Sequence, residues 1–453
     1  MAIEQIDVDA VREELRRVAA ERDPDAARAL LRRWPPDDAI AVLDELPADE
    51  LASVVSLLGD EALAEVLEHA NAATAARLIV KLSHAQAADV LEEMAPDDAT
   101  DVVEELEPED AEAILVQMDQ PEAEAIRELM VYPPETAGGR MTPDFVAVGA
   151  GLTVDQALAA LRRVAAEAET IYYVYVSDAD GRLVGVLSMR DLVLARPGTP
   201  VEAVMVRDVV RVRADADQET AARLLADRGL LALPVVDADE HLLGIITADD
   251  AADVLEEEAT EDIERLGGSR PLEVPYLLAG PLTLARKRIG WLLLLFVAEA
   301  YTGSVLRAFE NELQAVVALT FFIPLLIGTG GNTGSQTVTT VIRAMALGEV
   351  QFRDLFRVWV KEVATGLLLG AVLAVAAFAR AWTLGVSPNI GLTVATTAGA
   401  ICLWAATVAA VLPLLLRRLR IDPAVVSAPL ITTLVDGTGL VMYFEIARFL
   451  LRL

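Results

Sequence analysis

The sequence predicts a multidomain membrane protein: an α-helical superhelical N-terminal domain, an internally duplicated α/β module, a connecting helix and a five-helix α transmembrane domain. Three observations predict it. Charge and hydropathy change abruptly near residue 280, a short acidic helical repeat fills the first quarter of the chain, and a longer repeat mixing strands and helices follows it. Up to Gly280 the chain carries 61 Asp/Glu against 23 Lys/Arg, and from Pro281 onward 9 against 14, within an overall net charge of -33 over 453 residues. An intensely acidic half therefore precedes an apolar, slightly basic one. Acidity of this strength argues against a nucleic-acid partner, which selects a basic surface, and suits cation binding. The single Cys402 lies in an apolar run, so neither a disulfide framework nor a thiolate metal site is available. The N-terminus is charged from the start and has no signal-peptide core, so the first half is expected in the cytoplasm.

The first repeat runs from about Trp34 to Met130. Pro36-Asp37-Asp38, Pro96-Asp97-Asp98, Pro108-Glu109-Asp110 and Pro121-Glu122 each open an apolar helical stretch. Proline in the first turn loses no useful N–H, and the acids beside it complement the helix dipole. Helices this short are unstable alone, so they are expected to stack as an α-solenoid. The second repeat, of about 60 residues, runs from Met141 to about Leu255. Its first copy has a helix at Val154–Val164, strands at 171–176 and 183–188, and a turn at Asp178–Gly181. The second has a helix near Glu219–Leu225, strands at 232–236 and 242–247, and a turn at Asp237–Glu240. Gly185 and Gly244 occupy matching positions. The boundaries that follow are 1–131 for the acidic helical domain, 132–256 for the paired module, 257–284 for a connecting (plug) helix and 285–453 for the transmembrane domain.

Five apolar spans are expected at roughly 289–309, 313–346, 358–384, 391–416 and 425–449; most exceed the ~20 residues a bilayer core requires. The second contains Gly328-Thr329-Gly330-Gly331-Asn332-Thr333-Gly334, which predicts a bend or break. Ten basic residues, among them Arg286, Lys287, Arg288, Arg343, Arg417, Arg418 and Arg420, fall on one side of the spans, against Arg307, Arg380, Arg448 and Arg452 on the other. Positive residues stay inside, so the acidic half is cytoplasmic and the C-terminus lies outside.

Asp436 falls well inside the fifth span, where a carboxylate persists only if it faces water, a cation or a partner. A salt bridge to a neighbouring helix is the bland reading, but no basic residue lies deep in any span to supply it. The glycine run fails as a phosphate loop, because no Lys-Ser/Thr follows it. It is either a packing segment or irregular backbone lining a wet cavity. In the second case Gly328, Gly331 and Asn332, with Asp436, make an oxygen-only pathway suited to a hard cation that keeps its waters. Three histidines, His69, His84 and His241, do not make a zinc site. Glu299 lies midway along the first span and is read first as a dimer- or water-facing contact, second as a further pathway ligand. Gly366 and Gly370 form a G-x-x-x-G read as helix packing. Asp250, Asp253, Glu258, Glu261 and Asp262 recur every few residues on one helix, where like charges repel unless a cation relieves them. No nucleophile–base pair or hydrolytic motif occurs, so no enzymatic activity is expected.

The duplicated unit resembles a tandem CBS pair. The whole chain resembles the MgtE family of Mg2+ transporters, on Glu258-Ala259-Thr260-Glu261-Asp262, the 328–334 glycine run, Leu434-Val435-Asp436-Gly437-Thr438-Gly439 and the order of domains. The resemblance implies a homodimeric, Mg2+-gated Mg2+ channel in the cell membrane, with Asp436 as the cation-attracting group of the pore. It implies regulatory Mg2+ sites between domains built from Glu65, Asp97, Asp101, Asp217 and Glu219 with Asp250, Asp253, Glu258, Glu261, Asp262 and Asp422. Where the family pattern has a further acidic ligand this chain has Gly229. The resemblance also implies an adenine nucleotide, such as ATP, at Tyr173, Arg190, Asp191 and Asp249. Ser188-Met189-Arg190-Asp191 and Thr247-Ala248-Asp249-Asp250 fit a Ser/Thr-x-x-Asp pattern, but Leu230 stands where an aromatic is expected. The alternatives are a proton-coupled carrier of Mn2+ or Co2+ working through Glu299, and a membrane sensor that transports nothing.

Overall fold

The computed structural model describes residues 13, 17–18, 23–34, 36–44, 46–165, 168–272, 274, 276, 279–419, 421–423 and 427–453. Residues 1–12 of the expected helical domain, the side chains of Asp37 and Asp38, and Arg420 lie outside that description. The chain forms two compact units. One comprises the chain through Glu258, the other Ala259–Leu272 and Ala279–Leu453.

In the first unit, nine helices of 8 to 11 residues are described between Pro24–Leu31 and Gln120–Leu129. Each packs mainly on neighbours two or three places along, and their inward faces make one continuous core that includes Leu43, Leu58, Leu67, Leu78 and Leu91. The local signals act as expected. Proline opens the helices Pro96–Glu104 and Pro108–Leu115, and Ser83 and Gln86 form a reciprocal capping box. Carboxylates also tie one repeat to the next. Glu68 accepts the backbone N–H of Ala95 (2.8 Å), and Glu92 that of Asp119 (2.5 Å), each across 27 residues.

The paired module has two three-stranded sheets. In the first, β1 (Ala147–Gly149) runs parallel to β2 (Tyr173–Ser177), which pairs antiparallel with β3 (Leu183–Ser188). In the second, β4 (Val212–Arg213), β5 (Ala232–Val236) and β6 (Leu242–Thr247) repeat the arrangement. The register repeats as well, with Tyr173 opposite Ser188 and Ala232 opposite Thr247. The matched glycines have a physical cause. A Cβ on Gly185 would lie 2.5 Å from Met205 Sδ, and one on Gly244 2.7 Å from the Thr142 carbonyl oxygen. Each repeat thus lays the segment around its methionine across the other repeat's last strand, through the bridges Thr142–Ile245 and Val186–Val206.

The second unit contains five helices long and apolar enough to cross a membrane: Pro281–Ala308, Val317–Ala346 (its first six residues a 3-10 turn), Phe352–Thr383 (opened by a short 3-10 turn), Pro388–Arg418 and Ala428–Leu451. Two expectations need correction. The second span is not broken at its glycines, because Ile323–Ala346 is one continuous helix through residues 328–334. The glycines serve close packing instead. A Cβ on Gly330 would come within 2.6 Å of Ile401 and 2.7 Å of Val435, and one on Gly334 within 2.6 Å of Ile431. Likewise the connecting helix is not 257–284. A single helix, Ala248–Leu266, runs out of the second repeat and stops at Gly267-Gly268, with Gly268 at φ +76°. Residues 269–272 and 279–280 are not helical. Gly268 suits that stop because it takes a left-handed backbone at little cost and because the Trp291 ring occupies the place of a Cβ, 2.5 Å away. Gly366 and Gly370 face Ala406 and Gly399 at close range, as G-x-x-x-G packing requires.

The glycine contacts lead to a paired expectation for detergent-solubilised protein. Gly330→Leu should lower thermal stability by roughly 1–3 kcal/mol through overpacking. Gly328→Ala, with open space within 4 Å of its Cβ position, should leave melting unchanged or raise it slightly.

Candidate functional site: an acidic cluster in the first unit and a carboxylate in the fifth span

Two helices bring the first group of acids together. Pro96–Glu104 carries Asp97 and Asp98 in its first turn and Asp101 one turn later. Ala248–Leu266 carries Asp250, Asp253 and Glu257 along one stripe. Asp250 is held at its helix start by the Thr247 backbone N–H (3.2 Å) and the Thr247 hydroxyl. Removal from water dominates the electrostatics, and the acids then act on one another. Burial, with Asp97 and Asp250 adding to it, pushes the Asp98 carboxyl up to about 9. Burial pushes Asp101 up to about 6 even though the Arg140 guanidinium opposes it. Asp97 is raised well above the usual carboxylate range by burial and then by Asp250. Asp253 and Glu169 move the same way, burial first and neighbouring carboxylates after it, and burial raises Asp250 although its Thr247 hydrogen bond opposes this. One oxygen of Asp97 is buried with no hydrogen-bond partner among the described residues. Carboxylates pushed up by burial and by one another are groups whose ionised form a divalent cation would favour.

Arg140 was not singled out from the sequence, and it brings a guanidinium into this group. Its Nη1 donates to Asp101 (2.7 Å), its Nη2 to Glu257 (2.9 Å) and its Nε to Gln218 (2.9 Å). Gln218 in turn donates to Glu258 at 2.7 Å. A sequence signal existed: between Asp101 and Ala160 the chain has only two basic residues, Arg127 and Arg140. Asp98, Glu68 and Glu169 also belong to this group through the charges they exert.

The other expected metal residues are placed differently. Glu65 pairs with Arg32 at the surface (2.5 Å). Asp217 caps the helix Gln218–Arg228 through the Thr220 N–H (3.0 Å), and Glu219 pairs with Arg223. Gly229 ends that helix at φ +61°, a left-handed position that favours glycine over an acidic residue. In the second unit Glu261 and Asp422 converge on Arg265, with Asp422 at 2.6 Å, and Asp262 is half-buried on the same helix. For the nucleotide residues, Ser188 and Asp191 form a reciprocal capping box (2.5 Å between side chains), and the Thr247 N–H and hydroxyl both donate to Asp250. The Ser/Thr-x-x-Asp pattern therefore has a helix-start explanation in both copies. Arg190 and Asp249 are exposed, Tyr173 half-buried, and Leu230 packs against the second repeat's core.

In the membrane unit Asp436 is 8% exposed, and its Oδ1 is buried with no hydrogen-bond partner among the described residues. Glu299 of the first span is the charge that acts on it. Gly331 packs on Thr432, whose methyl would lie 2.7 Å from a Cβ there, while Asn332 is exposed and Gly328 faces open space. Among the described residues no hydrogen bond joins Asn332 to Asp436.

A duplicated α/β module in one chain with five membrane-spanning helices, one of them holding a buried carboxylate, fits the class of ion-transporting membrane proteins. Residues 34–135 match the MgtE intracellular N domain, 137–198 and 201–257 the CBS domain, and 323–446 the MgtE divalent cation transporter family. The magnesium transporter MgtE of Thermus thermophilus is 49% identical over 323 residues, 71% of each chain. That of Bacillus subtilis is 37% identical over 319 residues, 70% of each chain. The chain belongs to the MgtE family of magnesium transporters. Among solved structures, the cytosolic domain of the Mg2+ channel MgtE in complex with ATP is 40% identical, covering 54% of this chain and 99% of that one at a TM-score of 0.49. The soluble part of a magnesium transporter is 32% identical, covering 56% and 100% at 0.49.

The Arg140 geometry makes a stability prediction. Arg140→Ala in the full-length protein leaves Asp101 and Glu257 facing each other without their cation. Arg140 and Asp101 side chains are 21% and 23% exposed, so the loss should be roughly 1–3 kcal/mol, below the value for a fully buried pair. Thermal melts in chelator should show it, and millimolar Mg2+ should recover more stability in the variant than in the parent.

Proposed function

We propose that the protein is a homodimeric Mg2+ channel gated by cytoplasmic Mg2+, with Asp436 as the main cation-attracting group of its pathway. The observation that carries this reading is the nine-tenths buried Asp436 carboxylate, one oxygen without a partner among the described residues, inside a membrane-spanning helix. A carboxylate is retained at such depth for an ion or a proton. Oxygen ligands and the exposed Asn332 amide suit Mg2+, which dehydrates reluctantly and travels with waters. An interior-negative potential drives each charge by about 2.3 kcal/mol per 100 mV, so a divalent cation enters without a coupled energy source. The positive-inside count supports a cytoplasmic first unit and an outward C-terminus.

Asp97, Asp98, Asp101, Asp250 and Asp253 support the sensing half of the reading. Metal-free, they repel and are pushed toward protonation; with Mg2+ between them the compact arrangement gains. The ion closes its own path because it binds the compact state better. Glu261, Asp262 and Asp422, with Asp217, Glu219, Glu258 and Glu65, complete the proposed regulatory set. An adenine nucleotide at Tyr173, Arg190, Asp191 and Asp249 is an additional modulator in this reading.

Two outcomes are expected of the full-length protein. In proteoliposomes Asp436→Ala should remove Mg2+ uptake while the protein still inserts and purifies as the parent does; parent-like uptake contradicts the pathway assignment. Millimolar Mg2+ should slow proteolysis of the cytoplasmic half, and neutralising Asp250, Glu258 and Glu261 together should abolish that protection and leave conduction open at high Mg2+. Cleavage that proceeds equally with and without Mg2+ contradicts the gating assignment.

A further inference from the structure

The first and fifth spans cross at Gly437. A Cβ there would lie 2.4 Å from the Tyr301 ring and 3.2 Å from Thr302 Oγ1, so the two helices touch backbone to side chain. Two oxygens at this crossing are unusual. Threonines elsewhere in the unit turn their hydroxyls back onto the preceding helical turn: Thr329 to the Leu325 carbonyl, Thr333 to Thr329, Thr397 to Thr393 and Thr432 to Ala428. Thr302 is 5% exposed, and its hydroxyl oxygen has no partner among the described residues. The same is true of Asp436 Oδ1, one residue from Gly437. Glu299 stands one helical turn before Thr302, on the same face, and exerts its charge on Asp436.

We propose that Glu299, Thr302 and Asp436 form one cation station at this crossing, with Glu299 as a second carboxylate that sets affinity and divalent-over-monovalent preference. Two carboxylates match the charge of one divalent cation, and the Thr302 hydroxyl at the same crossing is a neutral oxygen ligand. The set is hard and suits partly hydrated Mg2+ or Mn2+ rather than ions that seek nitrogen or sulfur. Thr302 leaves the carbonyl of the preceding turn unused, which keeps its hydroxyl free for the ion or the ion's waters. The inference rests on reading Asp436 as part of the ion path.

The test is initial flux into liposomes holding the full-length protein, titrated with Mg2+ and, separately, Mn2+, with K+ as the monovalent probe. Glu299→Gln should raise the half-saturating Mg2+ concentration about tenfold or more, the worth of one charged contact, and admit K+. Glu299→Asp should restore most of the loss. Thr302→Val, nearly isosteric, should raise the half-saturating concentration a few-fold, as for a neutral hydrogen bond. Asp436→Asn should be silent. A Glu299→Gln protein with parent-like titration and selectivity, beside a silent Asp436→Asn, overturns the station and leaves the Asp436 reading intact. Parent-like flux in Asp436→Asn overturns both. Flux that follows an imposed proton gradient, and loses that dependence in Glu299→Gln, makes Glu299 a proton site and overturns the station. Should Glu299→Gln fail to insert, parent-like titrations of Glu299→Asp and Thr302→Val overturn it instead.

Discussion

Carboxylates held close together out of water constrain much of the first unit. Asp97, Asp98 and Asp101 on one helix meet Asp250 and Asp253 on another, and burial makes each more costly to ionise. An assembly of this kind needs positive charge. Arg140 supplies one unit of it, reaching Asp101, Gln218 and Glu257 with three of its donors. A guanidinium is always charged and fixed in direction, whereas a divalent ion comes and goes with concentration. On the proposed reading the tethered cation gives these surfaces a baseline attachment, and Mg2+ adds the variable part.

The membrane unit answers to a different constraint. Lipid offers no hydrophobic drive between helices, so close approach depends on small residues. Gly330, Gly331 and Gly334 bring the second span against Ile401, Ile431, Thr432 and Val435, and Gly437 brings the fifth against Tyr301 and Thr302. These contacts fix where polar atoms are stranded. Asp436 is buried because the residues around it, Val435, Gly437 and Leu440, are packed. Its depth is a consequence of the same small-residue geometry that the glycine run serves.

Much of this was legible in the sequence where one local cause decides the outcome. The helix Val154–Val164 and the strands Leu183–Ser188, Ala232–Val236 and Leu242–Thr247 fall where turn residues and period predict them. The five spans follow from hydropathy alone. Misreadings arose where one signal has two causes. Glycine loosens a helix and also lets helices touch; at Gly330 and Gly334 tertiary contact wins and the helix stays intact. Ser/Thr-x-x-Asp, by contrast, is no misreading: its helix-start bonds, Ser188 with Asp191 and Thr247 with Asp250, are compatible with the proposed nucleotide contact. Arg140 escaped notice because its partners lie 39, 78 and 117 residues away, distances that no local pattern spans. Asp97 was named from the family resemblance and Asp250 from its spacing as well, yet their closeness to Asp98 and Glu169 needed the fold.

The helix Ala248–Leu266 carries the consequence. Its first half bears Asp250, Asp253 and Glu257, the acids that meet Asp101 and Arg140. Its last turn bears Arg265, paired to Asp422, and Leu266, which packs against the membrane unit's apolar core. Nineteen residues of uninterrupted α-helix span about 28 Å, and the described helix contains neither proline nor glycine to absorb a displacement. The chain yields only after it, at Gly267-Gly268, where Trp291 closes over the turn. The acids of the proposed sensor and the Arg265 that pairs with Asp422 are thus carried by one continuous helix.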